Sequence, residues 1–330
     1  MHAMHYQSAL AALGVSLVCL WILLSRPVRR LMLDHPNARS LHERPVPRSG
    51  GVAIAAGVAA GTALAPQGLA VTLAAAAALA AVSLADDLIV LPTLARFAAH
   101  LAAAAAVLAF EIGITDPALF LVLLLAVAWS ANLYNFMDGS DGLAGGMAVI
   151  GFGAYGLAAH QSGHAALAGV SAVIAFASAA FLLVNFPPAL IFMGDAGSVP
   201  LGFLAGALGV LGWHTGSWPL WFPMLVFAPF ACDATLTLLK RLLRRELLWH
   251  AHRDHYYQRL VRMGFGHRGT VWIEYAAMAG CAITAFLARQ AEAGMQLGAV
   301  CAATIVLIAI AAWIDARWAR HLRDSAAVRP

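Results

Sequence analysis

The sequence predicts an all-α fold, a polytopic membrane bundle of about eleven transmembrane helices. Hydrophobic residues fill 62% of the 330 positions and charged residues only 11%, whereas soluble domains average about 25% charged residues. The mean hydropathy is +0.79, and apolar stretches long enough to cross a bilayer recur along the chain. Because these stretches are continuous and do not alternate polar with apolar residues, they argue against a transmembrane β-barrel.

Each predicted span is an apolar run bounded by polar residues, glycine or proline. In chain order, the runs lie near 9–25, 50–66, 68–85, 94–111, 117–133, 143–160, 164–184, 199–214, 217–239, 270–289 and 295–314. No long polar segment interrupts them, so residues 1–330 are expected to form a single integral-membrane domain. The first run is expected to be a retained span, because arginines and no small-residue cleavage site follow it.

The basic residues predict the orientation of the bundle. With the N-terminus periplasmic and the C-terminus cytoplasmic, 19 of the 20 lysines and arginines fall on the cytoplasmic side. The positive-inside rule favours this arrangement. The cytoplasmic loop 240–269 alone carries Lys240 and seven arginines, a surface that also attracts the headgroups of anionic membrane lipids.

Two adjacent carboxylates, Asp86 and Asp87, end the third predicted span. Helix capping requires only one such side chain. Two acids held side by side repel each other, and they usually share a proton, a cation or a cationic group of a substrate. We therefore predict a functional role for this pair.

Two further polar segments lie at the same predicted face. The segment 132–142 reads NLYNFMDGSDG, and the segment 185–198 reads NFPPALIFMGDAGS. Their asparagine and aspartate oxygens are hard ligands of the kind that Mg²⁺ prefers, with Mn²⁺ as the alternative ion. Asp195 taken alone is also explained as a helix cap, but its place beside the other acids favours a shared metal site.

A basic segment near the C-terminal end of the large loop combines histidines with arginines, namely His250, His252, Arg253, His255 and Arg259. Zinc binding is one interpretation of the histidines. Phosphate binding is favoured, because the surrounding arginines repel a cation and attract an anion. Arg48, in the glycine-rich turn HERPVPRSGG, adds a second basic element at this face.

The predicted bundle carries acids that can bind a divalent cation and basic loops that can bind phosphates. This combination indicates phosphoryl transfer to or from a lipid at the cytoplasmic surface. A proton- or ion-coupled secondary transporter is the alternative, and it predicts acids near the bilayer midplane and related halves. A catalytically inactive scaffold is a third possibility. Asp233 in the ninth span is expected to face either the bundle interior or a cavity. No nucleic acid is expected as a partner.

Four motifs carry a resemblance to a known family: PNARSLHERPVPRSGGVAI, LADDL, NLYNFMDGSDGLAGG and NFPPALIFMGDAGSVPLG. They occur in the order seen in the polyprenyl-phosphate N-acetylhexosamine-1-phosphate transferases, and the resemblance spans about residues 34–260. It implies a Mg²⁺-dependent enzyme of the bacterial inner membrane whose active site faces the cytoplasm. Its implied reaction transfers a sugar 1-phosphate from a UDP-N-acetylhexosamine to undecaprenyl phosphate and releases UMP. A homodimer is plausible by the same resemblance.

The resemblance also implies roles for individual residues. Asp86 and Asp87 match acids that deprotonate or place the lipid phosphate, and Asp138 and Asp141 match acids lining the diphosphate site. The remaining implied sites are metal ligands and substrate contacts: Asn135 and Asp195 for Mg²⁺, Asn185 and Phe192 for the uracil, and His252, Arg253 and His255 for the diphosphate. Arg48 is expected to join the substrate contacts.

The basic segment departs from the histidine-rich pattern of the muramoyl-pentapeptide and enterobacterial-type enzymes, because it reads HRDHYYQRL. It looks more like O-antigen-initiating enzymes that use N-acetylfucosamine or N-acetylquinovosamine. The sequence therefore leaves open which sugar is used, with N-acetylglucosamine as a further choice. It also leaves open a direct transfer or a two-step route through an aspartyl phosphate.

Overall fold

The computed structural model describes residues 2–30, 32–36, 40–64, 68–247 and 252–327, so His250 lies outside the described residues. The helices are α1 (His2–Leu23), α2 (Gly50–Ala63), α3 (Ala70–Ile89), α4 (Thr93–Ala106), α5 (Pro117–Phe136), α6 (Leu143–Gln161), α7 (Ala165–Asn185), α8 (Asp195–His214), α9 (Trp221–Val226), α10 (Ala228–Leu243), α11 (Tyr256–Leu260), α12 (Gly266–Ala288) and α13 (Ala293–Ala327). Two π-helical turns extend α4 through Val107–Ile112 and join α11 to α12 through Val261–Phe265.

The architecture is that of a polytopic all-α membrane protein. Within the described residues, nine helices are long and apolar enough to cross a bilayer, and α2 is a shorter apolar helix. The only deviation from the all-α prediction in that part of the chain is a pair of two-residue strands, β1 (Leu33–Asp34) and β2 (Val46–Pro47), which pair antiparallel. This small hairpin precedes α2 and lies beside the site described below.

The predicted ninth span, 217–239, is not one continuous helix. It is divided into α9 and α10, and Phe227 between them has a backbone outside the helical region. Pro229 explains the interruption, because proline has no N–H to donate to the carbonyl four residues earlier. The predicted eleventh span, 295–314, ends before the helix that contains it, since α13 continues to Ala327.

Helix α8 forms the centre of the bundle. In the apolar 18-residue stretch of α8, 89% of the residues are buried, whereas in the corresponding stretch of α13 only 11% are buried. Helix α8 packs against α2, α3 and α5. The contact with α2 is backbone to backbone, because a Cβ atom built on Gly51 would lie 2.2 Å from the Gly197 nitrogen. Small residues permit such close approach where water supplies no driving force for helix association.

Two helices run further than the sequence predicted, and this changes the setting of the site. Helix α3 ends at Ile89 and not near 85, so Asp86 and Asp87 lie in its last turns. Helix α5 ends at Phe136 and not near 133, so Asn135 belongs to its final turn. A side chain in a helical turn has less freedom than one in a loop, and these functional groups are therefore held by rigid elements.

Candidate active site

A cleft of about 740 Å³ opens where the ends of α3, α5 and α7 meet the beginnings of α8 and α12. It gathers side chains from segments that are far apart in the sequence. The predicted site residues that line it are Arg48, Asp86, Asp87, Asn135, Asp138, Asp141, Asn185, Phe192, Asp195, His252 and His255. Arg253 is an exception, because it is exposed and does not line the cleft.

The two adjacent acids have different environments. Both carboxylate oxygens of Asp86 are engaged, Oδ1 by the Leu91 N–H at 2.6 Å and Oδ2 by Arg96 Nη1 at 2.9 Å. Asp87 faces Arg48, with 3.3 Å between Oδ1 and Nη1. Its Oδ2 is buried and has no hydrogen-bond partner. Buried polar atoms are rarely left in this state, so Asp87 is the acid of the pair with capacity for a further ligand or proton.

Asn135, at the end of α5, and Asp195, at the start of α8, both line the cleft. The Ser198 hydroxyl donates to Asn135 Oδ1 at 3.0 Å and orients the amide from the first turn of α8. The backbone bends sharply before α8, because Gly194 has a φ of 71° and a Cβ there would lie 2.5 Å from the Arg48 carbonyl oxygen. Glycine therefore lets Asp195 approach both the β-hairpin and α5.

Asp138 completes this acidic group. Loss of solvent around its carboxyl, and then the negative charge of Asp195, raise the pKa of Asp138 well above its usual range. A hydrogen bond from the Gly194 N–H opposes the shift only in part. Two carboxylates in such proximity favour a shared proton or a bound cation.

Asp141 and Asn185 fasten two loops that form the wall of the cleft. Asp141 Oδ2 accepts the Ala189 N–H at 2.9 Å. Asn185 Oδ1 accepts the Gly142 N–H at 2.8 Å, and its Nδ2 donates to the Ile191 carbonyl at 2.9 Å. The Asn185 amide therefore joins the two loops and has only part of its hydrogen-bonding capacity left for a substrate.

The basic segment contributes less positive charge to the cleft than its composition predicts. Arg241 pairs with Asp254 at 2.9 Å, and Arg259 pairs with Asp315 of α13 at 2.9 Å. Burial, followed by the positive charges of His255 and Arg241, lowers the pKa of His252 to about 4. His252 is therefore neutral near pH 7 and acts there as a hydrogen-bonding group, not as a cation.

The lowered pKa of His252 predicts how stability changes with pH. The folded protein releases this proton near pH 4, whereas an unfolded histidine keeps it up to its ordinary value of 6.5. The unfolded state thus binds more protons between these values, so stability falls as the pH is lowered through that window. We expect His252→Gln to lose less thermal stability than the parent between about pH 7 and about pH 5. Melting curves in detergent would test this, and an equal loss in both proteins would contradict it.

Several cleft residues were not predicted as part of the site, and three of them make contacts with predicted ones. Arg96 holds Asp86, and the ring of His42 meets the ring edge of Phe192 with 4.9 Å between centroids. His267 receives the Asp141 N–H on Nδ1 at 3.2 Å, and its Nε2 lies 3.4 Å from the Leu41 carbonyl oxygen. His267 thus joins the acidic loop to the segment before β2. Arg96 and His267 lie outside the polar motifs of the sequence, so only their spatial neighbours reveal them, whereas His42 belongs to the turn HERPVPRSGG.

Comparisons with known proteins agree with this arrangement. Residues 69–212 match the family described as glycosyl transferase family 4, a range that contains every acidic and amide residue assigned above to the site. The chain is 28% identical to the probable undecaprenyl-phosphate N-acetylglucosaminyl 1-phosphate transferase of Bacillus subtilis, over 80% of this chain and 79% of the relative. It is 30% identical to the decaprenyl-phosphate N-acetylglucosaminephosphotransferase of Mycobacterium leprae, over 81% and 80% respectively.

A further similarity is higher in identity but covers less of the chain. The phospho-N-acetylmuramoyl-pentapeptide-transferase of Symbiobacterium thermophilum is 42% identical over 105 residues, which is 32% of this chain. The long alignments with the first two relatives cover about four fifths of either chain. On this evidence of sequence, together with the cleft and the helical bundle, the chain belongs to glycosyl transferase family 4, the polyprenyl-phosphate N-acetylhexosamine-1-phosphate transferases.

Proposed function

We propose that this enzyme transfers an N-acetylhexosamine 1-phosphate from a UDP-sugar to undecaprenyl phosphate and releases UMP. The reaction would take place at the cytoplasmic face of the bacterial inner membrane and would begin a lipid-linked glycan of the cell envelope. The main support is the convergence of Asp87, Asn135, Asp138 and Asp195 in one cleft at the end of a membrane-embedded bundle. A transporter would instead place such acids along a path through the bundle.

We propose Asn135 and Asp195 as the residues that hold Mg²⁺, with Asp138 close by. Among the described residues, no three histidine, cysteine or acidic side chains form a closed metal cage. An open site of this kind suits Mg²⁺, which commonly uses one or two carboxylates and completes its shell with water and substrate phosphates. When bound, the ion would offset negative charge on the diphosphate.

The protein's own residues would mainly position the two reactants. Arg48 and Arg96 are the arginines lining the cleft within the described part of the chain, and both are tied to the acidic pair at the end of α3. Asp87, with its free oxygen, would accept the proton of the lipid phosphate or align it for attack on the sugar-bearing phosphate. At neutral pH the lipid phosphate is already largely ionised, because the second pKa of a phosphate is about 6.

The direct test is release of UMP by the purified protein incubated with undecaprenyl phosphate, Mg²⁺ and single UDP-sugars. We propose an N-acetylated sugar, and the panel includes UDP-N-acetylglucosamine, UDP-N-acetylfucosamine and UDP-N-acetylquinovosamine. UMP release that requires the lipid would support the transferase. Absence of release with every sugar, in protein that remains folded, would overturn the proposal.

Removal of divalent metal is expected to abolish UMP release, because the acidic group offers no other cation for the diphosphate. Activity should return when Mg²⁺ is added in excess over EDTA, and Mn²⁺ should restore part of it. A matched sample treated with Ca²⁺ in excess over EDTA is the control for loss of folding. Full activity in EDTA would show that Asn135 and Asp195 serve another purpose.

A further inference from the structure

Asp233 is a buried carboxylate of α10 whose oxygens both accept hydrogen bonds from backbone groups. Oδ1 accepts the Tyr256 N–H at 3.0 Å, and Oδ2 accepts the Tyr257 N–H at 3.0 Å. The Thr237 hydroxyl adds a donor to Oδ1 at 3.2 Å. Because a backbone N–H is always a donor, both oxygens act as acceptors in these contacts.

His255 is the remaining neighbour of this carboxylate. Its Nδ1 lies 3.0 Å from Asp233 Oδ1, and each of the two side chains is 5% exposed. The carboxylate oxygen accepts in this contact when the hydrogen of the imidazole is on Nδ1. The other ring nitrogen, Nε2, is then left for the cleft, which His255 lines. The Gln258 side chain also accepts the His255 backbone N–H at 3.2 Å and holds the start of α11.

From this geometry we propose that Asp233 is a positioning residue: it fixes His255 with the hydrogen on Nδ1 and directs Nε2 into the cleft. A carboxylate in this position sets the tautomer and orientation of an imidazole and stabilises its protonated form. His255 can then present an Nε2–H to an anionic oxygen once it is protonated. This last step depends on the proposed transferase function, whereas the tautomer does not.

The ring packing around His255 supports a fixed orientation. The Tyr257 ring is stacked on it with 5.8 Å between centroids, and the Tyr257 hydroxyl donates to the Phe136 carbonyl of α5 at 3.2 Å. The loop after α5 also approaches Tyr257 closely, because a Cβ on Gly139 would lie 2.1 Å from that hydroxyl. Asp233 therefore anchors a histidine whose ring has little room to turn.

Nitrogen NMR of the full-length protein labelled on histidine tests the tautomer without any substrate. The His255 signals are assigned by their loss in His255→Gln. We expect Nδ1 to carry the hydrogen in the parent protein, and Asp233→Asn to convert His255 to the tautomer with the hydrogen on Nε2. An Nε2–H tautomer in the folded parent would overturn the proposal, whether or not the protein proves to be a transferase.

Kinetics of the same variants test the consequence. We expect Asp233→Asn to lower kcat about 10- to 100-fold, the range typical for a residue that orients another functional side chain. Asp233→Glu should recover part of the activity together with the parent tautomer. Thr237→Val is the matched control, since it removes one donor to Asp233 and leaves His255 in place. Equal losses in Asp233→Asn and Thr237→Val, with an unchanged tautomer, would show a purely structural role.

Discussion

Replacement of Asp195 by asparagine is expected to lower the kcat of UMP release about 100- to 1000-fold. Asparagine keeps the size of the side chain, but it replaces one acceptor oxygen by an NH2 donor and removes the negative charge. Charge stabilisation by a bound metal contributes several kcal/mol to the transition state, and each 1.36 kcal/mol corresponds to a tenfold change in rate. Rates measured over a range of Mg²⁺ concentrations should also show that the variant needs more metal.

Two further variants test whether the effect is specific to the proposed metal site. Asp324→Asn makes the same substitution at an exposed position near the end of α13 and should leave the rate unchanged. Asn135→Ala removes the neighbouring amide and should resemble Asp195→Asn in its demand for Mg²⁺, because both side chains are proposed ligands of the metal and line the same cleft. If Asp195→Asn retained the rate and metal dependence of the parent, the assignment of Asp195 to the metal site would be wrong.

Of the two adjacent acids, Asp87 is expected to matter more to the reaction than Asp86. Asp86 has both oxygens engaged by Leu91 and Arg96, whereas Asp87 has a buried oxygen without a partner. We expect Asp87→Asn to lower kcat about 100-fold or more, the lower limit for loss of a positioned proton acceptor. Asp86→Asn should lower it by about tenfold, as a residue that positions others.

Melting temperatures separate the two roles further. Asp86→Asn weakens the ion pair with Arg96 and should reduce thermal stability, because it leaves a partly buried guanidinium less well paired. Asp87→Asn also weakens an ion pair, with Arg48, but it removes a buried carboxylate whose Oδ2 is unpartnered, so the loss of stability should be smaller than in Asp86→Asn. A larger kinetic loss in Asp86→Asn than in Asp87→Asn would contradict this division of roles.

The fold class was predictable because it depends on composition. A chain with 62% hydrophobic residues in long runs can satisfy its backbone in a bilayer only as helices or as a closed barrel. The boundaries were less predictable. The break at Phe227 follows from Pro229, which the sequence shows, but the extension of α3 past residue 85 does not follow from hydropathy because it includes two acids. Hydropathy measures how well a residue suits lipid, whereas the end of a helix is set by where its backbone hydrogen bonds stop.

The composition of the site was also predictable to a large extent. Eleven of the twelve site residues predicted from the sequence line one cleft, and Arg253 does not. Their motifs are dense in hard oxygen atoms, which an apolar chain retains only where they serve a purpose. The sequence could not divide roles within that set. The Asn185 amide is hydrogen-bonded to two backbone groups. Arg241 and Arg259 form ion pairs with Asp254 and Asp315, respectively.

By itself, the sequence determined that the protein is a helical membrane bundle, because that depends on composition, and its short motifs predicted most of the polar residues that line the cleft. Only the tertiary structure decided which of two neighbouring acids keeps a free oxygen, that His252 is neutral, and that Asp233 of α10 holds His255. These properties depend on burial and on hydrogen-bond partners from distant segments. Such partners are set by how the helices pack, and no local pattern in the chain records them.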